Sequence, residues 1–337
     1  VFCEARKRIF EHIANVLELD PPEPKKRSLS ASSCPPQQEV TDCYLDVGRG
    51  CNSHCYFCAA DSTTRIEPIA DEQIQAIETC RSKGAMRLIL SGGEVTLQKN
   101  LREIVRKARA CGFSHVQVQS NGRKLANFDY LKGLVDEGVD EFGLSLHGPD
   151  AELQDVISGC PGSFNQTIRA IENIRILFGP NHPTSVNCVI TPENMSRLED
   201  MVRLLLKLDV STIKLAYLHA TGRAEDMLGS GHWPRKKDVT PYIIQAIKAV
   251  ERWGYPHTTL AVEAIPPCLL PGYEDYCSDL VIPPIFIISK QGEIEIYSTA
   301  SERVKREECS SCKWMDGCLG PWKQYPQIFG WDEFKPI

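Results

Sequence analysis

The sequence predicts an α/β protein in which a parallel sheet is followed by a small cysteine-rich module. Strand-like and helix-like runs alternate six times, polar and glycine residues follow the predicted strands, and two groups of closely spaced cysteines are present. Parallel strands need crossover connections, which helices supply, so the alternation is typical of a parallel sheet. The loops after the strands then share one edge of the sheet, where the ligand sites of such folds collect.

The composition is that of a packed globular protein. Hydrophobic residues make up 42% of the 337 residues and charged residues 24%, which is ordinary for a folded domain. No apolar run approaches the roughly 18 residues of a membrane span, and no secretory signal pattern opens the chain, so a cytoplasmic location is expected. The formal net charge is −6 and the basic residues are scattered, which argues against nucleic acid because phosphate binding needs clustered Lys and Arg.

Residues 1–41 are predicted to form an N-terminal helix and a proline-rich linker. Apolar residues spaced three and four apart predict a helix over residues 1–19. Prolines from Pro21 onward end this helix, and the segment that follows is rich in Pro, Ser and Lys, as linkers are.

Residues 42–255 carry the six strand-and-helix units. Short apolar runs bounded by turn residues predict strands at Cys43–Val47, Arg87–Leu90, His115–Gln119, Glu141–Leu146, Ser185–Ile190 and Thr212–Leu218. Apolar residues with a helical period predict helices at Asp71–Lys83, Asn100–Ala110, Phe128–Glu137, Phe164–Leu177, Met195–Leu208 and Tyr242–Trp253. Each predicted helix follows a predicted strand, so the six strands are expected to be parallel.

Polar and glycine residues recur at the carboxyl ends of these strands. They are Ser91-Gly92-Gly93-Glu94, Ser120-Asn121-Gly122 and Ser145-Leu146-His147-Gly148, with Asn187 inside the fifth strand. Because the carboxyl ends of parallel strands meet at one edge of a sheet, this placement predicts the rim of an active site.

Residues 256–337 are predicted to be a separate small module. Proline and glycine become frequent there, and the runs Ile285–Ser289 and Glu293–Tyr297 are typical of a β-hairpin. The second cysteine group then follows at Cys309, Cys312 and Cys318.

The first cysteine group lies on one short loop after the first predicted strand. Cys51, Cys55 and Cys58 form a Cys-x3-Cys-x2-Cys pattern, and thiolates suit iron–sulfur clusters and zinc. Three thiolates on a cubane cluster would leave one iron without a protein ligand and open to a small molecule. The alternative is a structural zinc ion with His54 as its fourth ligand, although His54 falls at an awkward spacing between two cysteines.

This pattern, with the aromatic Phe57 before the last cysteine, resembles the signature of the radical S-adenosylmethionine superfamily. The other motifs follow in the superfamily's order, and the resemblance covers residues from about 42 to 220. It implies a partial (βα)6 barrel with a 4Fe-4S cluster whose open iron binds the amino and carboxylate groups of S-adenosylmethionine. It also implies reductive cleavage of this cofactor to a 5′-deoxyadenosyl radical, which abstracts hydrogen from a substrate carbon.

The resemblance assigns cofactor-binding roles to residues at the ends of the second and third strands. Gly92, Gly93 and Glu94 correspond to the motif that contacts the methionine amino group. Two glycines permit a close backbone approach, and a carboxylate accepts hydrogen bonds from an ammonium group. Ser120 and Asn121 resemble the superfamily's contacts to the ribose and the carboxylate.

Further contacts are implied with the rest of the cofactor. The backbone of Phe57 would contact adenine, and Asn187 stands where the superfamily often has a polar contact. Ser145 and His147 are expected in the pocket, or, for His147, as a hydrogen-bonded histidine of the core. Many relatives have a basic residue after the fourth strand for the methionine carboxylate, but residues 150–159 contain no Arg or Lys, so that contact is unassigned. No acid–base pair is evident, and the radical step needs none.

The second cysteine group has the pattern Cys-x2-Cys-x5-Cys, which resembles the auxiliary-cluster modules called SPASM and, when shortened, Twitch. The resemblance implies one auxiliary 4Fe-4S cluster, because full SPASM modules carry more cysteines and Tyr297 stands where many relatives have one. Its fourth ligand would be Cys268 or Cys277, with Cys268 preferred. If neither binds, one iron is open to substrate. Four thiolates also suit zinc. The module is expected to cap the open side of the barrel.

The resemblance favours maturation of a ribosomally made peptide as the function. The alternative is radical chemistry on a small molecule such as a nucleotide, sugar or cofactor precursor. An electron donor such as flavodoxin or ferredoxin is implied. The region before Cys43 is too short and proline-rich for a leader-peptide-binding domain, so a peptide substrate is expected to need a separate recognition protein. A non-catalytic iron–sulfur scaffold is disfavoured by the intact Gly-Gly-Glu motif.

Overall fold

The computed structural model of the protein describes residues 40–180, 182, 184–228, 232–280 and 283–337. The helix predicted over residues 1–19 and nearly all of the proline-rich linker lie outside the described residues. Within the described ranges, no helix is both long and apolar enough to cross a membrane.

In the described part of the chain, nine strands form one open sheet in the order β7-β6-β5-β4-β3-β2-β1-β8-β9. They are β1 Asp42–Asp46, β2 Arg87–Ser91, β3 His115–Ser120, β4 Glu141–Ser145, β5 Thr184–Ile190, β6 Thr212–Tyr217, β7 Thr259–Glu263, β8 Ile285–Ile288 and β9 Ile294–Tyr297. Neighbours from β1 to β7 are parallel, as are β1 and β8, and only β9 runs antiparallel to its neighbour β8. The predicted parallel α/β sheet is confirmed, and no end of the six predicted strands differs from the observed end by more than one residue.

The sheet extends beyond the six predicted strands on both sides. β7 pairs with β6, so a seventh parallel strand lies in a region that the sequence analysis assigned to the C-terminal module. The predicted hairpin is present as β8 and β9, but β8 pairs with β1, Cys43 opposite Phe286, instead of standing apart from the sheet. β7 is short and lies beside proline-rich chain, so it shows little hydrophobic periodicity. The pairing of β8 with β1 joins segments about 240 residues apart, and no local sequence pattern indicates it.

The helices connect the strands and cover the sheet. They are α1 Asp71–Ser82, α2 Leu101–Ala110, α3 Phe128–Glu137, α4 Ala151–Ser158, α5 Ser163–Phe178, α6 Leu198–Lys207, α7 Arg223–Asp226, α8 Lys236–Trp253 and α9 Gln324–Phe329. Helices α4, α7 and α9 are not predicted from the sequence. The predicted last barrel helix begins at Tyr242, whereas α8 starts at Lys236 and includes Pro241.

The two faces of the sheet differ in polarity because side chains alternate along each strand. Leu45, Leu88 and Leu90 are fully buried in the same apolar core as residues of α1 and α2, and burying each such side chain stabilises the fold by roughly 1.5–3 kcal/mol. On the other face, the Arg87 guanidinium pairs with Asp42 and, at 3.5 Å, with Glu141. The helices pack on the apolar face, and the polar face is available for a ligand site.

Candidate cofactor site

The loop that carries the first cysteine group is fixed by backbone hydrogen bonds to three other segments. The Cys51 amide donates to the Thr63 carbonyl (2.8 Å), which closes the base of the loop. The His54 amide donates to the Ser158 carbonyl of α4 (2.8 Å), and the Arg223 amide of α7 donates to the Cys58 carbonyl (3.0 Å). These bonds use backbone atoms only, so the loop conformation does not depend on the thiols.

Gly222 and Arg223 are part of this support and were missed by the sequence analysis. A Cβ on Gly222 would lie 2.5 Å from the Cys58 carbonyl oxygen, and its φ of +58° is one that glycine adopts readily. The Arg223 guanidinium donates to the Ser62 hydroxyl (2.6 Å). A single glycine in a turn is the only sequence signal for this contact, because its partner lies 164 residues earlier in the chain.

The three thiols share a partly buried environment. Burial, together with the neighbouring thiols, raises the pKa of Cys55 to about 12, and burial also raises the pKa of Cys51. Burial acts in the same direction on Cys58, but hydrogen bonds from Ser62 and Arg223 outweigh it and lower the pKa of that thiol.

The zinc alternative for this loop depends on His54 as the fourth ligand. His54 is exposed. In the part of the chain that the structure describes, no group of three or more His, Cys, Asp or Glu side chains is arranged to hold a single metal ion.

The Gly-Gly-Glu segment packs directly on the beginning of the cysteine loop. The Gly93 amide donates to the Gly48 carbonyl (2.6 Å), and the Glu94 amide donates to the Gly50 carbonyl (2.7 Å). A Cβ on Gly93 would lie 2.3 Å from the Gly50 carbonyl oxygen, closer than real Cβ atoms approach. Glycine at this position therefore permits the contact between the two motifs.

The Glu94 carboxylate is buried and held by a network of donors. Glu94 is only 1% exposed. Oε1 accepts from the Thr96 amide (3.0 Å), the Thr96 hydroxyl (2.5 Å) and the Ser120 hydroxyl (2.7 Å), and Oε2 accepts from the Asn121 amide (2.7 Å). Ser120 thus bonds to Glu94 in this structure. With one such bond, Oε2 retains capacity for a further donor.

Replacing Glu94 with glutamine is expected to lower the free energy of unfolding by about 2 kcal/mol. Glutamine keeps one acceptor oxygen, but its amide group would meet either the Asn121 amide or the donors of Thr96 and Ser120, and a lost bond to a charged group costs about this much. Urea unfolding followed by circular dichroism measures the change. Glu103→Gln, at an exposed position on α2, is the matched control, and equal stability of the two variants would contradict the structural role.

Asn121 connects the third strand to the cysteine loop. Its Nδ2 donates to Asn52 Oδ1 (2.7 Å) and to the Ser53 hydroxyl (3.1 Å), and lies 3.9 Å from Cys51 Sγ. Arg123, which the sequence analysis did not single out, donates to the Asn52 carbonyl and to Gln166 Oε1 (2.7 Å). The predicted site residues of the first and third strands therefore meet in one hydrogen-bonded unit.

Ser145 and Asn187 lie side by side on the polar face. They are paired neighbours in β4 and β5, and the next residue in the row is Lys214 of β6, which is ion-paired with Glu263. Asn187 Oδ1 is buried and has no hydrogen-bond partner among the described residues. An unpaired buried acceptor is costly, so this atom fits a site completed by a donor on a bound molecule. Lys214 was not predicted.

Phe57 and His147 pack together behind the cysteine loop. Their rings meet edge to face with centroids 4.9 Å apart, and both residues are buried. His147 Nδ1 accepts from the Val189 amide (3.2 Å), and burial lowers the pKa of His147 to about 4. Of the two interpretations that the sequence left open, the hydrogen-bonded core histidine is the one that these contacts fit.

The second cysteine group gathers around one cavity in the C-terminal region. Its lining includes four thiols, from Cys268, Cys309, Cys312 and Cys318. Burial, followed by the charges of the other three thiols, raises the pKa of Cys268 to about 12. Cys277 is 1% exposed and is not among the lining residues. The four lining cysteines are the set that the sequence analysis preferred.

Residues 45–205 of the chain match a family model described as "Radical SAM superfamily". The chain is 28% identical over 185 residues (54% of this chain, 46% of the relative) to an "AdoMet-dependent heme synthase" of Oleidesulfovibrio alaskensis. It is 26% identical over 188 residues (55% and 58%) to a "Probable GTP 3',8-cyclase" of Sulfurisphaera tokodaii. The chain thus spans about half the length of the curated relatives that it matches.

Solved structures show the same fold over most of the chain. Streptococcus suis SuiB bound to S-adenosylmethionine superposes with a TM-score of 0.61 at 13% identity, covering 84% of this chain and 73% of SuiB. Native anSMEcpe with bound AdoMet gives a TM-score of 0.61 at 16% identity, and the match covers 87% of this chain and 95% of the anSMEcpe chain. At such identities the likeness establishes the fold alone, and it confirms the predicted open, partial barrel.

Proposed function

Because the chain belongs, through residues 45–205, to the radical SAM superfamily, we propose that it is a radical S-adenosylmethionine enzyme. Cys51, Cys55 and Cys58 would hold a 4Fe-4S cluster with one iron open to the cofactor. When bound, this pair supplies a 5′-deoxyadenosyl radical that abstracts hydrogen from a substrate carbon. The chain's own contribution is to bind and orient the cofactor and to keep water away from the radical.

The observation that carries this proposal is the direct bonding between the cysteine loop and the polar strand ends. Gly93 and Glu94 bond to the base of the loop, and Asn121 bonds to Asn52 and Ser53 within it. The thiols and the proposed cofactor contacts are therefore positioned relative to one another by the fold. An isolated metal-binding loop would not need these connections.

The chemistry of the residues present fits S-adenosylmethionine. Glu94 Oε2 can accept from the methionine ammonium, and Asn187 Oδ1 needs a donor. Gly92 and Gly93 allow the backbone to approach closely, and Phe57 offers its backbone to adenine. Ser120 would act by holding Glu94, and the remaining proposed contacts are Ser145 and Asn121.

We further propose that Cys268, Cys309, Cys312 and Cys318 hold one auxiliary 4Fe-4S cluster. The support is that these four thiols line one cavity, whereas Cys277 does not reach it. Four thiolates are the usual ligand set of such a cluster.

Cys268→Ala is accordingly expected to reduce the iron content of the reconstituted protein to about four atoms per chain, since one of two cubanes loses a ligand. Cys277→Ala should keep the full iron content and lose only about 1 kcal/mol of stability, from the small cavity it leaves. Iron and sulfide analysis decides between the two cysteines, and iron loss in Cys277→Ala alone would reverse the assignment.

For the substrate we propose a ribosomally made peptide, on the resemblance of the cysteine-rich module to SPASM and Twitch modules. The solved neighbours include SuiB bound to the precursor peptide SuiA and anSMEcpe with a bound peptide. A small molecule is the second candidate, since the curated relatives carry the names heme synthase and GTP 3',8-cyclase. An electron donor such as flavodoxin or ferredoxin would supply the reducing equivalent, and a separate protein could recognise a peptide substrate.

Anaerobic reconstitution tests the function. The reduced protein should show an iron–sulfur electron paramagnetic resonance signal that changes when S-adenosylmethionine is added, and it should form 5′-deoxyadenosine. A precursor peptide and GTP, added separately, then show which class stimulates 5′-deoxyadenosine formation. Protein that takes up only zinc, or an iron spectrum indifferent to S-adenosylmethionine, would refute the proposal.

A further inference from the structure

A histidine, a glutamate and a tyrosine from three separate segments meet beyond the carboxyl end of β6. His219 Nε2 lies 2.8 Å from Glu302 Oε2, and the Tyr297 hydroxyl donates to Glu302 Oε1 at 2.6 Å. His219 is two residues past β6, Tyr297 ends β9, and Glu302 follows in the C-terminal region. None of the three belongs to the cofactor site described above.

The His219 ring is held in a fixed plane by Trp322. The two rings stack with centroids 3.8 Å apart and planes 20° apart. Trp322 is 2% exposed, and the Arg303 guanidinium carbon lies 3.4 Å from the centroid of its ring. Arg303 is itself buried and paired with Asp279 at 3.1 Å. A buried platform of this kind limits rotation of the imidazole, while 28% of the His219 side chain stays exposed.

The hydrogen bonds define which ring nitrogen carries the proton. The Glu302 carboxylate is an acceptor and receives the Tyr297 hydroxyl on one oxygen, so His219 Nε2 donates to the other. Nδ1 is then the unprotonated nitrogen of the neutral ring, and it has no hydrogen-bond partner among the described residues. Burial lowers the pKa of His219 against the raising influence of Glu302, with Arg303 lowering it and Glu263 raising it as well. Neutral imidazole with a free nitrogen is a base.

Short chains of bonded residues connect His219 to both cysteine groups. Four residues after it, the Arg223 amide bonds to the Cys58 carbonyl, so the chain from His219 to this contact spans at most about 14 Å. On the other side, Arg303 beneath Trp322 donates to the Gly320 carbonyl (3.1 Å), and the Gly320 amide approaches Cys318 Sγ at 3.3 Å. The space between a radical-generating site and its cap is where a substrate would be held.

We propose that His219 is the proton acceptor of the substrate site, positioned by Glu302, Tyr297 and Trp322. This inference rests on the proposed function. Nδ1 takes a proton from an O–H or N–H group of the substrate, the electron pair of the broken bond stays on the substrate, and a new N–H bond forms. The imidazolium charge is balanced by Glu302, and the Tyr297 hydroxyl keeps the carboxylate in place. The substrate class is therefore one with an ionisable polar group beside the carbon that loses hydrogen.

The state of His219 can be measured without cofactor or substrate. In the full chain labelled with ¹⁵N-histidine, His219→Asn identifies the His219 signals among the eight histidines. We expect the Nε2–H tautomer, neutral at pH 7.5, and a rise of its pKa in Tyr297→Phe, because a carboxylate with one donor fewer attracts a proton on His219 more strongly. Glu302→Gln should lower the pKa. A ring with Nδ1 protonated, or one still charged at pH 7.5, would overturn the inference.

Chemical reactivity and turnover complete the test. Diethyl pyrocarbonate should modify His219 at the free nitrogen at neutral pH, and absence of modification would count against an accessible base. With whichever of the two probes, precursor peptide or GTP, the wild type converts, His219→Gln should lower product formation about 100-fold or more, the usual contribution of a general base. His115→Gln is the matched control, since His115 is also paired with carboxylates (3.2 and 3.3 Å). It lies at the amino end of β3, whereas His219 lies beyond the carboxyl end of β6.

The proposed substrate class and the proposed role of His219 can be refuted separately. If the wild type converts neither probe, the proposed substrate class is wrong, and the nuclear magnetic resonance and modification results still decide the state of His219. If the wild type converts a probe and His219→Gln converts it equally fast, the proton-accepting role is wrong and the proposed function stands.

Discussion

Protein in which Cys51, Cys55 and Cys58 are all replaced by alanine is expected to form no 5′-deoxyadenosine above background. Iron in a cubane is held by thiolates, and the three alanines leave the N-terminal cluster without protein ligands. The fold should survive, because the loop is anchored by backbone bonds from Cys51 to Thr63, from His54 to Ser158 and from Arg223 to Cys58. The variant should therefore keep the circular dichroism spectrum of the wild type.

The measurements are 5′-deoxyadenosine by mass spectrometry and iron per chain after anaerobic reconstitution. Iron should fall by the content of one cluster and not to zero if the second cysteine group holds its own. Cys111→Ala, which removes a partly buried thiol at the end of α2, controls for loss of a cysteine as such. Continued formation of 5′-deoxyadenosine by the triple variant would show that the cofactor is cleaved elsewhere or by another mechanism.

The features that could be predicted from the sequence are those determined by short segments of the chain. The spacing of Cys51, Cys55 and Cys58 and the glycines before Glu94 are short patterns, and the strand–helix alternation repeats within windows of a few residues. Each has its physical cause within the same segment. The sequence therefore predicts the parallel sheet and the residues that follow its strands.

What could not be predicted depends on contacts between distant segments. Ser120 resembles a cofactor contact, yet its hydroxyl bonds to Glu94, because the ends of β2 and β3 are adjacent only in the folded sheet. Arg223 supports Cys58 across 165 residues of chain. His219 follows β6, whereas Glu302 follows β9 and lies 83 residues later in the chain. No periodicity or spacing records these pairings.

Gly93→Ala is expected to show how strongly the site depends on one such contact. The added Cβ would lie 2.3 Å from the Gly50 carbonyl oxygen and 2.7 Å from the Arg49 carbonyl carbon, and both are backbone atoms that cannot rotate away. Overpacking of this kind typically costs about 1–3 kcal/mol. The cysteine loop and the Gly-Gly-Glu segment must separate, and a displacement of about 1 Å at a reacting centre is enough to slow chemistry about 100-fold.

Gly133→Ala is the matched comparison, because it makes the same substitution beside an equally close neighbour of a different kind. Its Cβ would lie 2.2 Å from Arg102 Nη2, the free end of a flexible side chain on a neighbouring helix. Arg102 can move aside, and alanine is favoured over glycine inside α3 by up to about 1 kcal/mol. Gly133→Ala should therefore unfold at the same urea concentration as the wild type or a higher one, and should form 5′-deoxyadenosine at the wild-type rate. If Gly93→Ala behaved in the same way, the two motifs would not need their close contact, and the bonded unit of cysteine loop and strand ends would lose its role in positioning the cofactor.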